Sequence, residues 1–249
     1  MVPNTLFMGQ QLFFLPVCES TNSEAQQLLI KNEATEGCLV LTAQQTSGRG
    51  QRGNSWEAEP GKNITLSVIL SPTFLAARHQ FLLNMAVSLA VLDLLRGQGL
   101  AQAQVKWPND LYFEGKKLGG ILIENTINSY YLQHSIIGIG LNVNQLQFQF
   151  STATSLAACV GHMLDVETLV AQLMELLEKR YLELRNGKTD RLKYEYLQAL
   201  FRYQETHTYI VDNRRVQGQI RGIDDDGRLA VEMEGLLRYF SFKEIAFVI

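Results

Sequence analysis

The hydrophobic pattern of this chain changes its period at about residue 203, and this change limits the folds open to it. Before that point, short apolar runs typical of strands alternate with stretches whose apolar residues recur at helical spacing. After it, only short strand-like runs remain, separated by turn residues such as Asp212-Asn213. We therefore predict an α+β domain over residues 1–202 and a small all-β barrel over residues 203–249.

The composition excludes several classes of protein. Of the 249 residues, 46% are hydrophobic, which is enough to bury a large core, and the net charge of −3 provides no overall positive field for a nucleic acid or a membrane surface. The three cysteines, Cys18, Cys38 and Cys159, fit neither a disulfide framework nor a thiolate zinc site. No basic residue precedes Lys31, so a secretory signal is not predicted. We expect a cytoplasmic protein that binds no nucleic acid and no membrane.

The predicted elements place several polar motifs at the ends of strands. A capping box of Thr21 and Glu24 predicts that a helix begins directly after the first strand. The apolar stretch 81–95 is interrupted by polar residues and is too short to span a bilayer, so it predicts a buried helix. The full set of predicted elements is strands over 10–18, 38–45 and 62–70, a helix over 76–96, strands with hairpin turns over 103–144, and helices over 165–185 and 189–200.

A glycine-rich segment, GRGQRG at 48–53, lies between the second and third predicted strands. It matches GxGxxG, but no helix follows it and Thr73 stands where a dinucleotide fold requires an acid. Its three glycine amides and two arginines suit an anion, and no acidic residue lies between residues 40 and 56. The spacing alone predicts either a cradle for an anion or a solvated hairpin loop.

Three further motifs lie within the strand-rich stretch. Lys106 ends an apolar strand beside a Trp-Pro turn, which favours a fixed positive charge. Gly119 and Gly120 interrupt a strand, which predicts either a bulge or the close approach of a ligand. Asn142 follows a strand with alternating glycines, where its amide suits a base edge or a strand-end turn. No histidine or cysteine spacing predicts a protein metal site.

Taken together and in this order, the motifs resemble those of biotin protein ligases. They are STN at 20–22, QQTSGRGQRGNSW at 44–56, KWPND at 106–110, KKLGGILIE at 116–124 and GIGLNVN at 138–144. The segment RGIDDDGRL at 221–229 is similar to part of the family's small SH3-like barrel. The resemblance covers essentially the whole chain, and it implies a catalytic domain with a mixed, class II synthetase-like sheet, followed by that barrel.

The resemblance implies an ATP-dependent reaction in two steps. The carboxylate of biotin attacks the α-phosphate of ATP to give biotinyl-5′-AMP and pyrophosphate, and a lysine of a biotin carboxyl carrier protein domain then takes the biotinyl group. Both reactants of the first step are anions, so cationic side chains must offset their repulsion. Mg²⁺ is expected with the nucleotide, bound mainly through phosphates and water rather than by a protein cage.

The resemblance also implies which residues form the site. The implied catalytic residues are Lys106 and Arg49. The implied biotin-binding residues are Ser20, Thr21, Asn22, Gln45, Arg49, Gly50, Gln51, Lys106, Gly119 and Gly120. The implied ATP- or adenylate-binding residues are Gly48, Arg49, Arg52, Gly53, Trp56, Asn109 and Asn142.

One residue departs from the family's pattern, because Gln51 stands where many bacterial members carry a second arginine after GRG. We predict that the adenylate is held less tightly by charge at this position. The nearest alternative function is that of a lipoate-protein ligase or an octanoyltransferase, because the folds of these enzymes resemble that of the biotin protein ligase catalytic domain. An octanoyltransferase needs a nucleophilic cysteine, for which Cys159 is the candidate, although its apolar neighbours favour an inert thiol.

Two other expectations concern organisation. The first predicted strand begins near residue 10, so we expect no N-terminal winged helix-turn-helix and no repressor function. A non-enzymatic binding module, with the C-terminal barrel as its partner site, is the alternative from a different functional class. A homodimer is left open by the sequence.

Overall fold

We describe residues 3–248 in a computed structural model, with every side chain in that range except that of Arg52. Within these residues the chain forms two β-sheets and five α-helices. The strands of the first sheet are β1 (Leu12–Cys18), β2 (Leu39–Gln45), β3 (Ile64–Leu70), β4 (Gln104–Lys106), β5 (Asp110–Phe113), β6 (Lys116–Asn128) and β7 (Tyr131–Leu141). The helices are α1 (Thr21–Ile30), α2 (Phe81–Gly97), α3 (Leu156–Val160), α4 (Val166–Arg185) and α5 (Thr189–Gln198).

The first sheet is mixed, in the order β1-β2-β3-β7-β6-β5-β4. Strands β1 and β2 are parallel because α1 carries the chain back between them, whereas the remaining neighbours are antiparallel. The predicted α+β fold with a mixed sheet is confirmed. The hairpin of β6 and β7 turns at Ser129, whose φ is +56°, and β5 turns into β6 at Glu114-Gly115.

Apolar residues of the sheet alternate between two packed faces. On β3, Val68 belongs to the main core with α2 and α4, whereas its neighbour Ile69 packs with Ala25 of α1 on the other side. The helical stretch Ala77–Gly97 is long and apolar enough to cross a membrane, but 67% of its most apolar part is buried inside the protein. This burial is what the sequence predicted for that helix.

The second sheet contains β8 (Thr206–Val211), β9 (Arg214–Ile223), β10 (Leu229–Met233), β11 (Leu236–Phe240) and β12 (Ala246–Phe247). All its neighbouring strands are antiparallel, in the order β11-β10-β9-β8-β12. It docks on the first part of the chain, where Trp107 Nε1 donates a hydrogen bond of 3.0 Å to the carbonyl oxygen of Gly227. The division into residues 1–202 and 203–249 stays a prediction.

Two local predictions need correction, and two short elements were not predicted. Helix α1 begins after Ser20 rather than at a Thr21 cap, because Thr21 N donates to Gln45 Oε1 at 2.8 Å and its side chain joins a tertiary network. The predicted helix over 76–96 starts as a 3-10 turn and becomes α-helical only at Phe81. The sequence also missed α3 and β12, which have five and two residues, because elements this short show no periodicity.

Candidate active site

A cavity of about 300 Å³ lies where the N-terminus of α1, the glycine-rich loop, the Lys106–Asp110 turn and strands β6 and β7 converge. The C-terminal sheet contributes the remaining wall through residues 242–247. The predicted site residues that line the cavity are Ser20, Thr21, Asn22, Gln45, Arg49, Gly50, Gln51, Trp56, Lys106, Asn109 and Gly120. The fold therefore brings together side chains from motifs up to about a hundred residues apart.

Four other predicted site residues do not line this cavity. A Cβ at Gly119 would lie 2.5 Å from the carbonyl oxygen of Gly140, so this glycine permits close packing of β6 on β7. Asn142 is buried, and its Nδ2 donates to the carbonyl oxygen of Thr154 at 3.0 Å. The other two, Gly48 and Gly53, belong to the loop itself, and the side chain of Arg52 lies outside the described part of the chain. Their ligand contacts stay predictions.

One wall of the cavity is a continuous network of uncharged polar groups. Ser67 Oγ lies 2.5 Å from Asn22 Oδ1 and 2.8 Å from Thr21 Oγ1. Thr21 is in turn bonded to Gln45 Oε1 through both its backbone N–H and its hydroxyl, at 2.8 and 3.2 Å. Because these side chains are fixed by each other, they present hydroxyl and amide groups in set directions to a ligand.

Two glycines of β7 make room for this wall and for the ring of Trp56. A Cβ at Gly138 would collide with the amide of Asn22, and one at Gly140 would lie 2.7 Å from Trp56 Cζ2. The indole Nε1 of Trp56 is buried and has no hydrogen-bond partner among the described residues. An unpaired N–H donor in the wall of a cavity can donate a hydrogen bond to an acceptor atom of a ligand.

Among the side chains that the structure describes, three cations line the cavity, and two of them are already paired. Arg49 makes a two-fold contact with Glu124, with Nη1–Oε1 and Nη2–Oε2 distances of 3.2 and 2.9 Å. Lys117 Nζ lies 2.7 Å from Asp110 Oδ1. Each carboxylate offsets part of the positive charge and holds its partner in place before an anion enters.

Lys106 is in a different environment. Within the described residues it forms no ion pair at salt-bridge distance; its Nζ lies 3.3 Å from Tyr112 Oη and 5.3 Å from the ring centre of Phe247. Burial lowers the pKa of Lys106, and the nearby charge of Asp110 offsets this in part. A partly desolvated cation facing a cavity attracts a ligand carboxylate or phosphate strongly.

Part of the site could not be predicted from the sequence. Lys117 belongs to the KKLGGILIE motif and lines the cavity, but only the glycines of that motif carried a predicted role. Phe242, Ile245 and Phe247 line the cavity from the C-terminal sheet, and no motif in that part of the chain indicated it. Only the docking of the second sheet on the first brings them there.

A mixed sheet that carries a cationic cavity under a glycine-rich loop defines an enzyme for small anionic ligands. The chain belongs to the biotin/lipoate A/B protein ligase family, whose sequence profile matches residues 14–142. It is 33% identical to the bifunctional ligase/repressor BirA of Bacillus subtilis over 246 residues, covering 95% of this chain and 74% of that protein. The resemblance to biotin protein ligases stated from the motifs is confirmed.

Two other relatives extend this similarity. The chain is 29% identical over 230 residues to the biotin--[acetyl-CoA-carboxylase] ligase of Mycobacterium tuberculosis, covering 91% of this chain and 85% of that one. Its fold is similar to that of the biotin protein ligase from Aquifex aeolicus in complex with biotin and ATP, with a TM-score of 0.80. That match covers 96% of this chain and 99% of the other at 21% identity, so it bears on the fold alone.

Proposed function

We propose that this chain is an ATP-dependent biotin protein ligase that forms biotinyl-5′-AMP and transfers biotin to a lysine of a carrier protein. The observation that carries this is the combination, in one cavity, of a neutral hydrogen-bonding wall and three cations. The wall of Thr21, Asn22 and Gln45 suits the ureido head of biotin, and the cations suit its carboxylate and the α-phosphate. The relative from Mycobacterium tuberculosis, which is named as a biotin--[acetyl-CoA-carboxylase] ligase, supports the same function.

In the first step, the biotin carboxylate attacks the α-phosphorus of ATP, and pyrophosphate leaves with the electrons of the broken P–O bond. Lys106 and Lys117 offset the repulsion between the two anions, and Arg49 adds a planar pair of donors from the loop. In the second step, the neutral amine of an acceptor lysine attacks the acyl carbon, the C–O bond to the phosphate breaks, AMP leaves with its electrons, and the nitrogen releases a proton to solvent. The cations then stabilise the departing phosphate.

The walls of the cavity also protect the intermediate. A mixed anhydride hydrolyses readily, so water must be kept from it between the two steps. The glycine-rich loop lies between β2 and β3, and Phe247 lies in β12, yet both line the cavity. We propose that they close over the adenylate together, with Trp56 packing against the nucleotide.

The residues present fit a Mg²⁺ ion that arrives with the nucleotide. Among the described residues, no three His, Cys, Asp or Glu side chains are grouped as a metal site. Asp110 is the acid that lines the described cavity, and one protein carboxylate with substrate phosphates and water is a common set of Mg²⁺ ligands. The bound ion would neutralise phosphate charge.

The proposed acceptor is a biotin carboxyl carrier protein domain, and the proposed location is the cytoplasm. Octanoyl transfer is not favoured, because Cys159 does not line the cavity and its Sγ lies near Thr154 Oγ1, at 3.6 Å. Lipoate ligation is not favoured, because a relative that matches 91% of this chain is named as a biotin--[acetyl-CoA-carboxylase] ligase. A Cys159→Ala variant should retain full activity.

The direct test measures the transfer of biotin to a carrier domain. The purified chain is incubated with biotin, ATP, Mg²⁺ and a biotin carboxyl carrier domain, and the mass of the domain is measured. A gain of one biotinyl group is expected, with none on a matched domain whose target lysine is changed to alanine. Modification of a lipoyl domain instead, or of neither domain, would contradict the proposal.

A further inference from the structure

We propose that Glu124, at the far part of the β6 motif, is a positioning residue for the proposed reaction: its carboxylate fixes the hydrogen-bonding direction of Asn22 and orients Arg49. The inference rests on the proposed function and extends it. Neither Glu124 nor its indirect partner Ser67 lines the cavity, so Glu124 acts through side chains that do.

The first contact is with the glycine-rich loop. The guanidinium of Arg49 meets both carboxylate oxygens of Glu124, at 3.2 and 2.9 Å. This fork uses one edge of the guanidinium and leaves other N–H groups of Arg49 for a ligand in the cavity. The loop cation is thus directed by an anion on the neighbouring strand.

The second contact is with the recognition wall. Asn22 Nδ2 donates to Glu124 Oε2 at 2.7 Å, so one carboxylate oxygen joins the loop arginine to the wall amide. An ionised carboxylate only accepts hydrogen bonds, so Asn22 turns its NH₂ group toward Glu124. The carbonyl oxygen of Leu122 accepts a second, longer hydrogen bond from Nδ2, at 3.4 Å, and favours the same direction. The carbonyl oxygen of Asn22 then faces Ser67, whose hydroxyl lies 2.5 Å away.

The direction of one amide therefore determines the pattern of the whole wall. Asn22 is only 3% exposed and Ser67 is fully buried, so neither side chain has solvent as an alternative partner. Glu124 and Arg49 have side chains that are 40% and 45% exposed, and an ion pair this exposed adds little to stability. We therefore expect Glu124 to orient the side chains of Arg49 and Asn22 and to contribute little to folding stability.

The test is a Glu124→Gln variant, which keeps the shape but presents an NH₂ group in place of one acceptor oxygen. Either Asn22 or Arg49, which both donate to Glu124 in the wild type, then faces the NH₂ group of the glutamine. We expect the KM for biotin, measured by biotin-dependent exchange of labelled pyrophosphate into ATP, to rise about tenfold, the cost of one charged hydrogen bond. The melting temperature should be unchanged, and Glu33→Gln, which removes an exposed carboxylate elsewhere, should leave KM unchanged.

A double-mutant cycle separates positioning from a structural role. If Glu124 acts through Asn22 and Arg49, the Glu124→Gln change should raise the KM less in an Asn22→Ala background and in an Arg49→Ala background than it does in the wild type. A Glu124→Asp variant, which still only accepts hydrogen bonds, should have a KM closer to that of the wild type. A full tenfold rise in both of these backgrounds would overturn the proposal.

The outcomes also separate this inference from the proposed function. No biotin-dependent exchange by the wild-type chain would mean that the proposed function fails, and the inference fails with it. An active wild type with an unaltered KM for biotin in Glu124→Gln would overturn the inference alone. A lowered melting temperature together with an equal loss in Glu124→Asp would assign Glu124 a structural role and overturn it as well.

Discussion

Lys106, Arg49 and Lys117 carry the positive charge of the cavity, and each is held differently. Arg49 and Lys117 are paired with carboxylates, whereas the Nζ of Lys106 lies against Tyr112 and Phe247. A carboxylate partner fixes the direction of a cation but cancels part of its charge. Partial burial of an unpaired cation strengthens its attraction for an anion, because less water screens the charge. We therefore expect Lys106 to exert the strongest charge effect on an entering anion.

Removal of either cation named from the sequence should impair adenylate formation. We expect Arg49→Ala and Lys106→Ala each to lower the rate of pyrophosphate exchange by about 100- to 1000-fold, because a positioned donor is worth about 3–4 kcal/mol in the transition state. The matched control is Lys116→Ala, which removes an exposed lysine next to the site. Wild-type rates in both site variants would refute the assignment.

The pKa of Lys106 predicts a pH dependence. Burial lowers this pKa below its ordinary value of 10.5. As the pH rises through the lowered value, the side chain loses its charge, and a bound anion then loses its cationic partner. Burial raises the pKa of Tyr112 to about 12, so this neighbour stays protonated over the same range. The kcat/KM for biotin should fall on the alkaline side, and Lys106→Arg should move that fall to higher pH. Identical alkaline profiles for the two proteins would contradict this.

At the level of elements, β7 is the strand that gives the cavity its depth. Its residues Gly138 and Gly140 face Asn22 and Trp56, so two side chains from distant elements lie directly against the strand. The sequence indicated close approach at Gly119 and Gly120, whereas the alternating glycines of β7 drew a prediction only for Asn142 at the strand's end. Register explains the difference, because Gly120 pairs with Gly140 and the pairing cannot be known before the sheet is assembled.

A methyl group on β7 should displace Trp56. In a Gly140→Ala variant the new Cβ would contact the indole ring, and a misplacement of about 1 Å can cost as much as 100-fold in rate. We expect a lower kcat/KM for ATP and altered tryptophan fluorescence. Gly222→Ala on β9 is the matched control, since nothing lies within 4 Å of a Cβ there. Equal kinetics for the two variants would show that Trp56 does not need this space.

The glycine-rich loop carries the prediction about Gln51. Its Oε1 is buried without a partner among the described residues, so the neutral side chain adds no charge contact to the loop. We expect Gln51→Arg to slow release of the adenylate by at least about tenfold, through a charged hydrogen bond. Ser47→Arg places the same charge at an exposed loop position outside the cavity and should have no effect. An unchanged release rate in Gln51→Arg would argue against the prediction.

At the level of the whole molecule, the cavity is complete only when the second sheet docks on the first. Phe247 lies beside Lys106, and Trp107 of the same turn is hydrogen-bonded to Gly227. The sequence predicted the mixed fold, the β-rich C-terminal part and most of the polar residues that line the cavity, because these depend on local pattern or on short motifs. It did not predict the wall at residues 242–247, which depends on docking between distant surfaces.

The central claim is that this cavity activates biotin with ATP, and the exchange of labelled pyrophosphate into ATP tests it most directly. Purified protein is assayed with Mg²⁺ and with biotin, lipoate or octanoate, since these acids share the carboxylate but only biotin has the ureido head. The account predicts exchange with biotin alone. Exchange with lipoate or octanoate in its place, or with none of the three acids, would contradict it.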